Sequence, residues 1–212
     1  MSDSRTPILW YFADPMCSWC WGFSPVIEKI QSKYADQIKV SLNLGGLRPG
    51  TKHTITQKQR DEILHHWHSV QQMTGQTFKF ENAMPEGFIY DTEPASRLVT
   101  LLATLKPELV FTCFHDIQAA FYRSGEDVTS KSVLKKIAAR LGVTENQFDE
   151  LFESPNIKQA TQQHFEGTHQ AGISGFPALV WQDEKNMEKL CSGYVSFEKL
   201  SEDINKRLKH NP

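Results

Sequence analysis

Ile8-Leu9-Trp10-Tyr11-Phe12-Ala13-Asp14-Pro15-Met16-Cys17-Ser18-Trp19-Cys20 is the stretch that decides how this chain folds. Its first six residues are apolar and bounded by Pro7 and Pro15, which reads as a buried strand over 7–13. From Cys17 the pattern turns helical, with Phe23, Val26, Ile27, Ile30 and Tyr34 recurring at helical spacing. Pro25 lies inside that pattern and removes one backbone donor, so a kink is expected there. Two thiols with a two-residue spacer, set where a strand ends and a helix begins, can close a small disulfide ring. The helix N-terminus has unpaired N–H groups and partial positive charge, a setting that favours a thiolate.

Outward from this stretch, Ile38, Val40, Leu42 and Leu44 alternate as in a second strand, which Gly45-Gly46 and Pro49-Gly50 end. The middle is helix-rich. Helices are expected over 55–73, 93–105, 108–122, 130–141, 145–152 and 155–171. Pro94 and Pro107 open the second and third of these, Ser130 caps the fourth, and the Thr144–Gln147 capping box starts the fifth. Residues 76–92, with Pro85 and Gly87, read as loop. After Gly175 come a short strand at Ala178–Trp181, a turn at Asp183–Asn186, a strand over 187–194 and an amphipathic helix over 196–208.

The order β-α-β, many helices, β-β-α implies an α/β protein with a thioredoxin-like core and a large all-helical insertion. The expected core is discontinuous, residues 7–50 and 172–210, and the insertion subdomain covers 51–171. The chain has 212 residues, 39% hydrophobic and 23% charged, an ordinary globular composition. A net charge of -2 gives no electrostatic case for nucleic acid or an anionic membrane surface. No apolar run approaches the roughly 20 residues of a membrane span. The polar start Met1-Ser2-Asp3-Ser4-Arg5-Thr6-Pro7 lacks the basic and apolar regions of a signal peptide, so a cytoplasmic location is expected.

Of four cysteines, only Cys17 and Cys20 are close; Cys113 and Cys191 stand alone and read as small core residues. Zinc usually takes four ligands, commonly as two close pairs, so one pair favours redox over metal, and no metal site is expected. His65, His66 and His68 do not share one helix face and read as a solvated or partly packed surface. Cys17, nearer the helix end, is expected to be the exposed nucleophile, and Cys20, one turn inward, the more buried resolving thiol. Trp19 in the spacer is the aromatic expected to be exposed and to grip a peptide. Gly175-Phe176-Pro177 precedes a strand, where proline costs no interior ladder bond.

Asp14 through Gly22, together with Gly172-Ile173-Ser174-Gly175-Phe176-Pro177, resembles the DsbA-like thioredoxin family. Phe121-Tyr122-Arg123-Ser124-Gly125-Glu126-Asp127-Val128 resembles its FrnE-like branch. The resemblance covers nearly the whole chain. It implies a protein disulfide oxidoreductase in which Cys17 attacks, Cys20 resolves and Pro177 is a cis-proline against the dithiol. Gly175, Phe176 and Trp19 are then substrate-binding residues. Partners would be protein or peptide thiols and disulfides, with glutathione as a small-molecule partner and no other cofactor. Two departures stand out. The spacer is Ser18-Trp19 rather than Pro-His, which implies a less oxidising site than DsbA. Tyr11 occupies the position, six before Cys17, where thioredoxin and DsbA carry an acid. Asp14 is the nearby carboxylate; it reads first as a turn residue and second as a candidate for proton transfer.

Two other functions fit the same architecture. One is a glutathione-dependent transferase or isomerase of the kappa and hydroxychromene-carboxylate type, whose members usually carry Ser where this chain has Cys17. The other is a non-enzymatic peptide-binding module. The direction of electron flow, the substrate and the oligomeric state are not encoded in any of these motifs.

Overall fold

The computed structural model describes residues 6–210. The opening stretch forms β1 (Ile8–Ala13), an interior strand of a sheet completed by β2 (Lys39–Leu44), β3 (Ala178–Gln182) and β4 (Met187–Ser192), in the order β2-β1-β3-β4. β1 pairs parallel with β2, from Ile8↔Lys39 to Ala13↔Leu44, and antiparallel with β3, from Ile8↔Gln182 to Phe12↔Ala178. β1 is apolar throughout because both its faces are covered. Leu9, Tyr11 and Ala13 join the large core on one face, while Trp10 and Phe12 meet Ile173, Ala178 and Val180 on the other.

The chain crosses from β1 to β2 through α1 (Ser18–Lys33). Phe23, Val26, Ile27 and Ile30 are buried along it, and Tyr34 follows as its buried C-cap. Pro25 leaves the Trp21 carbonyl without its helical donor. The Ser24 hydroxyl and the Gln76 side-chain amide donate to that carbonyl instead, at 2.9 and 3.1 Å.

Six helices follow β2: α2 (Gln57–Thr74), α3 (Glu93–Leu105), α4 (Val110–Gln118), α5 (Lys131–Arg140), α6 (Glu145–Leu151) and α7 (Pro155–Gln170). α2 and α4 pack on α1, α3 packs on α4, α5 and α7, and α7 packs on β2. α8 (Phe197–His210) lies against α1. The Thr144–Gln147 capping box forms as expected; Thr56 and Gln59 form another at the start of α2. The Ser130 hydroxyl makes no cap bond and meets the Ser132 hydroxyl at 3.0 Å.

The single helix expected over 108–122 is three elements. A 3₁₀ turn occupies Pro107–Leu109, α4 follows, and a π-helical segment covers Ala119–Ser124. In the wider π turn successive side chains diverge less than in an α-helix. Phe121 and Tyr122 therefore both reach Trp67, with ring centroids 5.6 and 5.1 Å away. This is the thioredoxin-like α/β architecture, with α1 against the Tyr11 face of the sheet and α7 bonded through His164 and Thr168 to Asn43 of β2.

Candidate active site

β1 ends in the turn Asp14-Pro15-Met16, which delivers Cys17 to the N-cap of α1. The turn is held from both sides. The Asp14 carbonyl accepts the Cys17 N–H at 3.1 Å, and the Asp14 carboxylate accepts the N–H groups of Met16 and Leu47, each at 2.8 Å. Tyr90 donates its hydroxyl to the Met16 carbonyl at 2.6 Å. At the cap the Cys17 Sγ accepts the Cys20 N–H at 3.3 Å, satisfying one of the orphan donors of the helix end. The structure thus brings Cys17 and Cys20 onto one turn, as free thiols.

Cys17 is less open than expected: it is 6% exposed and Cys20 is fully buried. The order of exposure follows the expectation, but the Cys17 thiol is flanked by the segment ahead of β3. Its Sγ lies 3.6 Å from the Phe176 carbonyl oxygen, to which it donates, and the Phe176–Pro177 peptide is cis. The Phe176 ring is seated over Gly45, where any Cβ would fall 2.3 Å from the ring. Gly45 is therefore required for close approach, a role its turn-ending reading did not reveal.

Burial pushes the Cys20 thiol well above the ordinary thiol range, and the neighbouring Cys17 sulfur adds to the rise. Burial likewise pushes the Asp14 carboxyl up to about 6, against the Leu47 and Met16 N–H bonds that pull it down. Asp14 is thus a turn residue, as first read, but a buried and electrostatically perturbed one. The Tyr11 phenol, buried on the same face as Cys20, is raised by burial and then by the Cys20 and Cys17 sulfurs beside it.

A groove of about 220 Å3 opens beside Cys17, lined among others by Trp19, Leu47, Arg48, His66, Trp67 and Phe176. Trp19 and Phe176, two expected substrate residues, are half-buried in its wall. Gly175 is not in the wall, and a Cβ there would meet open space. Leu47, Arg48, Trp67 and Tyr90 went unread because they come from loops and a helix remote in sequence, carrying no motif. From sequence, His66 reads with His65 and His68 only as part of a solvated or partly packed surface. The structure separates that run: His66 faces the groove and His68 stacks on Phe80 at 4.0 Å. Among the described residues, no group of three or more metal-ligating side chains converges. Cys113 and Cys191 are buried core residues as expected.

Residues 8–205 match the DSBA-like thioredoxin domain. This chain belongs to that family. The DSBA-like chain resembles a Nitrosomonas europaea protein, provisionally called a protein disulfide isomerase, at 47% identity and a TM-score of 0.92, covering 98% of this chain and 100% of that one. It shares its fold with the cytosolic disulfide reductase DsbM from Pseudomonas aeruginosa, also solved with GSH. That likeness has 22% identity and a TM-score of 0.76, over 95% and 98% of the two chains. A ClpXP adapter protein SpxH from Halalkalibacterium halodurans is 20% identical over 84% of this chain. The match spans 59% of that relative's own length. No described helix is long and apolar enough to cross a membrane.

Proposed function

We propose that this DSBA-like chain catalyses thiol-disulfide exchange on protein or peptide substrates, with Cys17 attacking and Cys20 resolving. The observation that carries this reading is the Cys17 thiol at a helix N-cap, facing both Cys20 and the Phe176–Pro177 segment. In the reductive direction the Cys17 thiolate attacks a substrate disulfide R–S–S–R′. The Cys17–S–R bond forms, and R′S⁻ leaves and takes a proton. The Cys20 thiolate then attacks the Cys17 sulfur. The Cys17–Cys20 disulfide forms and RS⁻ leaves, so the substrate gains the two electrons that the dithiol loses. Phe176 and Trp19 line the seat of the substrate, and Pro177 holds the carbonyl that meets Cys17.

Glutathione is the proposed small-molecule thiol that recycles the pair, in the cytosol. Arg48 lines the groove without a carboxylate partner among the described residues. Its guanidinium suits a carboxylate-bearing thiol. The intact cysteine pair favours this reading over a transferase or isomerase that works with Ser at the first position.

Trapping is the test. Cys20→Ser should accumulate mixed disulfides through Cys17 in cells, with protein adducts that disappear in the double variant lacking Cys17. Adducts of small thiols alone would replace the protein-substrate reading with glutathione chemistry. Full cellular activity of Cys17→Ser would overturn redox function in favour of peptide binding.

A further inference from the structure

Arg48 is the permanently charged residue in the wall of the groove beside Cys17, and none of the lining residues is a carboxylate. Its guanidinium lies over the Tyr90 ring, 5.2 Å from the centroid. Tyr90 in turn donates its hydroxyl to the carbonyl of Met16, the residue before Cys17. One side chain therefore links the cation to the backbone of the dithiol turn. The backbone that carries Arg48 is fixed as well. Its N–H donates to the Thr92 hydroxyl at 3.1 Å, and its carbonyl accepts the Thr92 N–H at 3.3 Å and the Thr51 hydroxyl at 3.0 Å. The Leu47 N–H just before it donates to Asp14. Yet the guanidinium N–H groups meet no acceptor among the described residues. Asp14 accepts the Met16 and Leu47 N–H groups, and Asp91 accepts those of Gly50 and Glu93 at 2.8 and 3.0 Å. A positioned cation with no internal partner, beside a reacting thiol, is set for an anion that arrives with the substrate. The rest of the wall is largely apolar: Leu47 is 40% exposed, and Trp19 and Phe176 are half-buried. Glutathione brings carboxylates but no apolar side chain to cover Leu47 and these rings. A polypeptide brings both.

We propose that Arg48 is the specificity-determining residue of the groove, selecting polypeptide disulfides that carry an Asp or Glu side chain within a few residues of the reacting cysteine. The substrate carboxylate pairs with the guanidinium N–H groups, and apolar side chains beside it lie along Leu47, Trp19 and Phe176. The pair forms as the substrate docks, so it acts on the encounter with Cys17. A basic flanking residue meets repulsion at the same place. Arg48 touches the substrate through its side chain and takes no part in bond making at sulfur.

Selection by Arg48 rests on the Cys17–Cys20 exchange proposed above, and single turnovers of the reduced protein with cystine-bearing peptides separate the two. The peptides share one apolar sequence and differ at one flanking position, as Glu, Gln or Lys, moved outward residue by residue. At the best position the wild type should react with the Glu peptide about three- to tenfold faster than with its Gln twin, and most slowly with the Lys peptide. The Glu-to-Gln ratio should fall toward one in high salt. Arg48→Gln should bring that ratio close to one at low salt. Arg48→Glu should turn the preference over to the Lys peptide, a reversal that a packing defect would not produce. Each ratio compares two peptides on one protein, so partial loss of folded protein cancels. Should neither variant fold, the wild-type ratio in salt carries the test, and a ratio that salt leaves unchanged would overturn the assignment. Equal wild-type rates on all three peptides at every position would also overturn it, as would a Glu preference that survives in Arg48→Gln. If peptide rates ignore the flanking charge while the rate with oxidised glutathione falls in Arg48→Gln, the cation serves the small thiol and the selection of acidic polypeptides is refuted. Failure of every peptide to react with the reduced wild type would instead sink the exchange reading itself.

Discussion

Asp14 shows how much a single side chain's setting changes its meaning. A carboxylate in a turn ahead of a helix is ordinary from sequence, and nothing in the residues around it announces full burial. In the fold its carboxyl titrates near 6 rather than 3.8, mainly through burial. The folded state therefore holds this proton to higher pH than the unfolded chain. Stability contributed at Asp14 falls as pH rises from about 4 to about 6 and is level beyond, by about 3 kcal/mol in all. Other carboxyls, such as Glu153 beside Lys158 and Arg97, are held low and act in the opposite sense. The isolating measurement is the urea stability of Asp14→Asn minus that of wild type. That difference should move in the variant's favour by a few kcal/mol between pH 4 and pH 7. A pH-independent difference would mean that Asp14 titrates alike in both states. The same contrast explains which site residues were legible. Cys17, Cys20 and Pro177 belong to short motifs beside strand and helix signals. Arg48 and Trp67 reach the site only by tertiary packing, so no local pattern marks them.

Elements were legible where one face repeats along a regular helix or strand, and illegible where a neighbour dictates the geometry. The apolar run of β1, the alternation of β2 and the cap of α6 are local, and they follow from their residues. The break of the 108–122 stretch into 3₁₀, α and π segments is not local. It places Phe121 and Tyr122 around Trp67, which belongs to α2. The α1–α2 contact has the same character. A Cβ on Gly22 would lie 2.6 Å from Val70 Cγ1 and 3.0 Å from Thr74 Cγ2, so the helices touch because position 22 has no side chain. Gly22→Ala gains helix propensity but forces α2 outward from the dithiol helix, and overpacking of this kind costs about 1–3 kcal/mol. The denaturant midpoint should fall accordingly. Gly22→Ala with Val70→Ala should recover part of the loss relative to Val70→Ala alone. Equal losses in both backgrounds would show that the helices do not meet at this pair.

At the scale of the molecule, both ends of the chain contribute to the sheet: β1 carries the dithiol and β3 follows the cis Phe176–Pro177 peptide that faces it. Folding therefore decides how well each redox state of the pair is accommodated. A strong oxidant such as DsbA, near −120 mV, owes its potential to a stabilised reduced form. This fold offers its reduced pair less. The Cys20 thiolate is disfavoured by burial, the Ser18-Trp19 spacer supplies no imidazole, and Asp14 adds negative charge to the Cys20 surroundings. By linkage, whatever folding withholds from the dithiol appears as relative stability of the disulfide form. The oxidised protein should resist urea at least as well as the reduced protein. Its reduction potential, read by tryptophan fluorescence in glutathione buffers, should lie well below about −120 mV. Each 30 mV of separation corresponds to about 1.4 kcal/mol between the two states, so midpoint and potential are two readings of one quantity. A reduced form more resistant to urea than the oxidised one, together with a potential at or above that of DsbA, would show that groups outside the spacer stabilise the dithiol. Electron flow would then run toward oxidation of substrates rather than their reduction.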